Sequence, residues 1–121
     1  MELDEATAWT DAMDSVFKAH HGYDILRYLP AFSGWELPEG NDQFMYDFKK
    51  TVSDQIILSH YATGRDFLAE YGMDLVAEAG GPGPPIWNSC PVDALRALGN
   101  VSVPRGEFWV EMWANIYLMK E

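Results

Sequence analysis

The sequence predicts an α/β fold in which helices predominate and a few strands run parallel. Three observations lead to this prediction. The apolar patterns follow the order helix, strand, loop, helix, strand, which is typical of parallel α/β folds. The composition, 48% hydrophobic and 14% aromatic, is that of a globular chain. The length of 121 residues suits one domain, residues 1–121, but is well below the roughly 250 residues of a complete (β/α)₈ barrel.

Two helices are predicted in the first 72 residues. In residues 9–21, apolar side chains recur on one helical face, with Thr10 as a candidate N-cap and Gly22 as the end. A loop follows over residues 33–41. A long helix then begins near Asp42 and ends at Gly72, with Gly64 as a weak point or bend. Its predicted apolar stripe comprises Phe44, Phe48, Val52, Ile56, Phe67, Leu68 and Tyr71.

The second half of the chain is predicted to contain the strands. Residues 73–78 contain a short apolar run that ends in a carboxylate, which favours a parallel strand buried on both faces. A loop rich in glycine and proline follows over residues 79–92. Asp93 is the expected cap of a short helix over residues 94–98, and a second strand is expected within residues 101–109.

Two glutamates follow these strands and are the candidate functional residues. Glu78 stands at the end of the first strand, and Glu107 lies in the second strand segment with similar local surroundings. Parallel α/β folds carry their chemistry at the carboxyl ends of strands. The pair therefore suggests a glycosidase-type acid/base site or a site for a hard cation. Both could also be ordinary carboxylates, with Glu78 bonded to the amides of Gly80 and Gly81.

Charge and residue usage exclude several classes of function. The net charge of −11, from 8 basic and 19 acidic residues, argues against nucleic acid and suits a neutral or cationic ligand. The single cysteine allows no intrachain disulfide. No apolar run is long enough for a membrane span, and the acidic first residues do not resemble a signal peptide, so a cytoplasmic location is the default expectation. His20, His21 and His60 have no metal-ligand spacing.

A series of short motifs runs in order along nearly the whole chain. They are Ala6-x-x-Trp9-Thr10, Gly22-Tyr23-Asp24, Tyr28-Leu29-Pro30, Tyr46-Asp47-Phe48, Val52-Ser53-Asp54, Glu78-Ala79, Gly81-Pro82-Gly83, Asp93-Ala94-Leu95, Ala97-Leu98-Gly99 and Gly106-Glu107-Phe108-Trp109. Each motif alone is weak, but the ordered set resembles glycoside hydrolase family 106, the α-L-rhamnosidases. The resemblance implies a large (β/α)₈-barrel enzyme that removes terminal L-rhamnose with inversion and uses calcium. This chain would be a partial barrel fragment from its C-terminal part.

The resemblance also implies roles for individual residues. Glu107 is the candidate general base, and Glu78 shares catalysis or binds the metal. Glu2 stands about where the family's acid is expected, while Asp24 and Trp109 are candidate sugar contacts. The expected partner is a rhamnose-containing carbohydrate. The alternative is a truncated, inactive module that binds carbohydrate or associates with a second copy or a companion chain.

Overall fold

The computed structural model describes residues 9–79 and 92–106. The regular elements in these ranges are helix α1 (Met13–His21), a 3₁₀ helix (Ile25–Ser33), α2 (Asp42–Ile56), a π-helix (Ile57–Ala62), α3 (Thr63–Ala69), strand β1 (Val76–Ala77), α4 (Ala94–Leu98) and strand β2 (Val103–Pro104). No helix in these two ranges has both the length and the apolar character needed to cross a membrane. The described chain is therefore a helix-rich α/β fold, as predicted.

Helix α1, the 3₁₀ helix and α2 enclose the first core. Phe17 of α1 lies at its centre and is fully buried, with its ring edge-on to the rings of Tyr23 and Phe44 at centroid distances of 4.9 and 6.0 Å. Met13, one turn earlier, faces the same core because residues four apart share a helical face. Burying one such side chain contributes about 2–3 kcal/mol.

The ends of α1 confirm one predicted cap and correct the other. Gly22 adopts a left-handed conformation with φ of 79°, and its amide donates to the carbonyl of Lys18. This is the predicted stop, since glycine takes that conformation without steric cost. The predicted Thr10 cap is wrong, because α1 begins at Met13 after Ala12 and no side chain caps it. The Thr10 carbonyl instead accepts from the Met13 amide in the preceding turn.

The predicted long helix is present, but a π-helix interrupts it. The backbone at both junctions, Ile57 and Thr63, stays right-handed, so the helix continues rather than breaks. A π turn holds more residues than an α turn, and the residues after it are therefore rotated about the axis. Phe67 is consequently exposed, and Tyr71, which lies just after the end of α3, is exposed as well, so their predicted place on the apolar stripe is wrong. Gly64 lies beyond the interruption, with the Leu75 side chain 3.6 Å from where a Cβ would stand.

A second core connects the π-helix with the strands. It consists of Ile57, Tyr61, Val92, Ala97 and Val101, with Leu75 and Ala77 packed against it. Helix α4 enters this core as predicted, capped by the Asp93 side chain, which accepts from the Arg96 amide. The second core therefore fixes the position of β1 relative to the long helix.

Strands β1 and β2 pair in parallel, with Val76 opposite Val103 and Ala77 opposite Pro104. The parallel direction confirms the prediction, but each strand is only two residues long. Val76 is 52% exposed and Val103 is also exposed, so the expectation of burial on both faces is wrong for this pair. The described residues are compatible with a fragment of a larger parallel sheet, and a barrel stays a prediction.

Candidate functional site at the strand ends

The carboxyl ends of β1 and β2 bring Glu78 and Arg105 together. The Arg105 amide donates to the carbonyl of Ala77 at 3.0 Å, which is the last hydrogen bond along the pair. Glu78 and Arg105 are thus neighbours across the two strands. Glu78 Oε1 lies 3.9 Å from Arg105 Nε, a weak ion pair at a solvent-exposed position. The structure therefore places one predicted site residue, Glu78, at the strand end that the sequence indicated.

Both charged side chains are accessible to solvent, while a buried side chain of the second core forms a hydrogen bond to the backbone of Glu78. The Glu78 side chain is 40% exposed and that of Arg105 is 70% exposed. The buried Tyr61 donates its hydroxyl to the Glu78 carbonyl at 3.1 Å. An accessible carboxylate can accept or donate a proton or bind a cation, and the guanidinium can donate to a hydroxyl or an anionic group. Sequence reasoning missed both Arg105 and Tyr61.

The other predicted site residues are not joined to this pair by any described contact. Glu2, Glu107 and Trp109 lie outside the described residues. Asp24 caps the 3₁₀ helix, and its Oδ1 accepts from the Leu26 amide at 2.9 Å. This capping contact is the structural alternative to a role in sugar binding, and it accounts for the position of Asp24 beside the first core.

The described residues do not by themselves form a calcium site. In residues 9–79 and 92–106, no three or more His, Cys, Asp or Glu side chains are grouped so that they could hold a metal ion. Calcium takes about 6–8 oxygen ligands. The charged group that lies near Glu78, the predicted ligand, in the described part of the chain is the guanidinium of Arg105. Calcium binding therefore stays a prediction.

A buried polar cluster around Asp47 was also missed from the sequence. Asp47 is 7% exposed, and its carboxylate accepts hydrogen bonds from the Tyr23 hydroxyl and from the side-chain amide of Gln43, both at 2.9 Å. His21 Nδ1 lies 3.4 Å from the same carboxylate. Burial first, and then the hydrogen bond to Asp47, raise the pKa of Tyr23 well above its ordinary value of 10.0. In the sequence, His21 and Tyr23 stand on either side of Gly22, which was the one indication of a polar cluster. Their partner Asp47 on α2 is distant in sequence, so the contact could not be predicted.

The Asp47 cluster resembles a catalytic triad in composition but not in access. His21 Nε2 lies 2.9 Å from the Thr51 hydroxyl, which in turn donates to the Asp47 carbonyl at 2.9 Å. The single hydroxyl proton is used in that bond, so the Thr51 oxygen accepts a hydrogen bond from His21 Nε2. Thr51 is fully buried, so no substrate can reach its oxygen. The cluster therefore joins α1 to α2 and is a structural element.

A second polar network connects α2 with α4. Lys50 donates to Asp54 Oδ2 at 2.8 Å, and Arg96 pairs with Asp54 Oδ1. Burial acts to raise the pKa of Asp54, but the hydrogen bonds from Lys50 and Arg96 outweigh it and hold that pKa below 3.8. The Asp93 amide donates to the Ser53 hydroxyl at 2.8 Å. This network fixes the start of α4, which leads into β2 and Arg105.

Comparisons with known proteins relate the whole chain to one family. The model of glycoside hydrolase family 106, described as alpha-L-rhamnosidase, matches residues 4–118. A relative from Formosa agariphila named "Putative beta-glucuronidase" is 28% identical over 103 residues. That match covers 84% of this chain but only 8% of the relative, so the chain corresponds to a small part of a much longer protein. No solved structure matches the chain significantly.

Proposed function

The chain belongs to glycoside hydrolase family 106, and from this premise we propose that it supplies part of a site that hydrolyses terminal α-L-rhamnosides. The observation that supports this proposal is the position of Glu78, an accessible carboxylate at the carboxyl end of a parallel strand. Glycoside hydrolysis in most families requires two carboxyl groups across the scissile bond. Glu78 is proposed to share in catalysis or to bind the metal beside that pair.

In the proposed mechanism, hydrolysis proceeds with inversion. Glu107, two positions after Arg105 in the sequence, is the base that takes a proton from the attacking water. Glu2 is the proposed acid, and Asp24 and Trp109 are proposed sugar contacts. Inversion needs about 6.5–9.5 Å between the acid and base carboxyl groups, so that water fits between one of them and the sugar. Neighbouring strand ends can provide that separation.

The proposal includes flanking chain beyond these 121 residues. The chain spans 8% of the length of the Formosa agariphila relative. From the family resemblance we propose that the chain forms the C-terminal part of a (β/α)₈ barrel, whose remaining strands come from further residues of the same protein or from a companion chain. The activity belongs to that complete assembly.

The name of the relative raises a β-glucuronide as the competing substrate. A glucuronide carries a carboxylate that a rhamnoside lacks, and Arg105 is an exposed guanidinium beside Glu78. Arginine binds carboxylates through paired N–H donors. Arg105 therefore gives a specific structural reason to test a uronide beside the rhamnoside.

The test is made on the complete assembly and measures release of the aryl group from an aryl α-L-rhamnoside and an aryl β-D-glucuronide, each with added calcium and with a chelator. We expect hydrolysis of the rhamnoside and a loss of about 10²–10⁴-fold in Glu107→Gln, the range for removal of a general base. Glu70→Gln, an exposed carboxylate at the end of α3, is the matched control and should retain full activity. If calcium binds through Glu78, calorimetry should show that Glu78→Gln weakens its binding.

Two results would contradict the rhamnosidase proposal. One is hydrolysis of the glucuronide alone, which would change the substrate class. The other is equal activity in wild type and Glu107→Gln, which would remove the assigned base.

A catalytically inactive association module is the second candidate function. Apolar side chains are exposed on the long helix and on both strands, including Phe67, Tyr71, Val76 and Val103. Exposed apolar surface and open strand edges favour association. Sedimentation velocity distinguishes the candidates: a stable dimer without hydrolysis of either glycoside supports the module, whereas an active monomer excludes it.

A further inference from the structure

The Tyr61 side chain forms a hydrogen bond between the π-helix and the end of β1. Ile57 and Tyr61 are both buried on the side of the π-helix that faces the second core. The Thr63 hydroxyl, just after the π-helix, donates to the carbonyl of Leu58, five residues earlier, at 2.8 Å. π-helical turns occur often at functional sites, where they redirect a side chain. Here the redirected side chain reaches the strand that precedes Glu78.

The Tyr61 hydroxyl donates a hydrogen bond to the first carbonyl beyond the paired part of β1. The Ala77 carbonyl is the last to accept from β2, through the Arg105 amide. The next carbonyl along the chain, that of Glu78, accepts from Tyr61 at 3.1 Å. This bond fixes the peptide group between Glu78 and Ala79. The orientation of that peptide sets the direction in which the chain leaves the strand, and with it the direction of the Glu78 side chain.

We propose that Tyr61 is a positioning residue, which orients Glu78 toward Arg105 by holding the Glu78 carbonyl. The proposal deepens the glycosidase function and rests on it for its catalytic consequence. The ring of Tyr61 is buried and its hydroxyl reaches the backbone rather than a substrate, so its effect acts through Glu78. Tyr61 belongs to the π-helix, and we infer that this helical turn places its hydroxyl at the end of β1.

The test compares Tyr61→Phe with Tyr71→Phe. Tyr61→Phe keeps the buried ring and removes only the oxygen, while Tyr71 lies just after α3 with an exposed side chain. The first readout is the ¹³C signal of the Glu78 carbonyl, together with the Arg105 side-chain Nε signal. We expect both signals to shift in Tyr61→Phe and to stay unchanged in Tyr71→Phe. Thermal unfolding separates these local shifts from a general loss of structure.

The second readout is hydrolysis of the aryl glycoside. We expect kcat to fall about ten- to a hundredfold in Tyr61→Phe with KM unchanged, as small displacements of catalytic groups do. Unchanged Glu78 and Arg105 signals would overturn the proposal, as would full activity in Tyr61→Phe. If the complete wild-type assembly hydrolyses neither glycoside, the proposed function fails, and the carbonyl and Nε signals alone decide whether Tyr61 orients Glu78.

Discussion

Removal of the Tyr23 hydroxyl tests the polar connection between α1 and α2. The hydroxyl donates to Asp47 Oδ2 at 2.9 Å, and Asp47 is buried. A hydrogen bond to a charged acceptor contributes about 1.5–3 kcal/mol, and partial exposure of Tyr23 lets solvent screen some of it. We therefore expect Tyr23→Phe to lower the free energy of unfolding by about 1–2 kcal/mol at pH 7.

The same variant has a distinctive pH dependence. The pKa of Tyr23 is raised in the folded state, first by burial and then by Asp47, so the folded protein keeps a proton that the unfolded chain loses. This contribution is complete below the ordinary pKa of 10.0 and decreases as the pH rises above it. For one proton the decrease is at most about 1 kcal/mol between pH 10 and pH 11.

The assay is urea unfolding followed by circular dichroism at pH 7, 10 and 11. The difference in unfolding free energy between wild type and Tyr23→Phe should shrink between pH 10 and pH 11, since the other tyrosines titrate in both proteins. Tyr46→Phe, whose side chain is exposed, serves as the control and should match wild type at every pH. A difference that stays constant from pH 7 to pH 11 would refute the reasoning.

Three further predictions concern stability. Asp54→Asn should lower the free energy of unfolding by about 1–2 kcal/mol at pH 7. Because the pKa of Asp54 is lowered in the folded state, its contribution to stability is complete above pH 3.8 and is lost as the pH falls below that value, so the stabilities of wild type and variant should converge in acid. Asp66→Asn, at an exposed position, is the control and should stay near wild type. Phe17→Ala should cost about 3–5 kcal/mol by thermal unfolding, against less than about 0.5 for Leu95→Ala at an 83% exposed position, and equal losses would contradict the first core. Gly22→Ala should cost about 1–2 kcal/mol because φ is 79°, whereas Gly99→Ala, at φ of −69°, should have a smaller effect in the same unfolding experiment.

Local signals in the sequence predicted the end of α1 and the start of α4, although not the start of α1. Gly22 and Asp93 act through hydrogen bonds to residues within four positions, so their roles are visible in a short segment. The exposure of Phe67 and Tyr71 could not be predicted in this way. A regular α-helical period places them on the apolar stripe, and the π-helix that rotates them away has no comparable sequence signal.

The candidate site could be predicted only as far as single strands allow. The apolar run before Glu78 indicated a strand end, which the structure confirms. Arg105 and Tyr61 were missed because their relation to Glu78 depends on strand register and on packing of the second core. The Asp47 cluster was missed for the same reason, since Tyr23 and His21 meet Asp47 only after α1 packs on α2.

The shortness of the parallel pair determines how readily the strand ends open. Each strand contributes only two residues, and Val76 and Val103 are exposed. Helix α2 instead packs its buried side chains, among them Val52, into the first core. Amide hydrogens at the strand ends should therefore exchange faster than those of α2 around Val52. A ligand that bridges both strand ends would slow that exchange, since it binds only when the pair is closed.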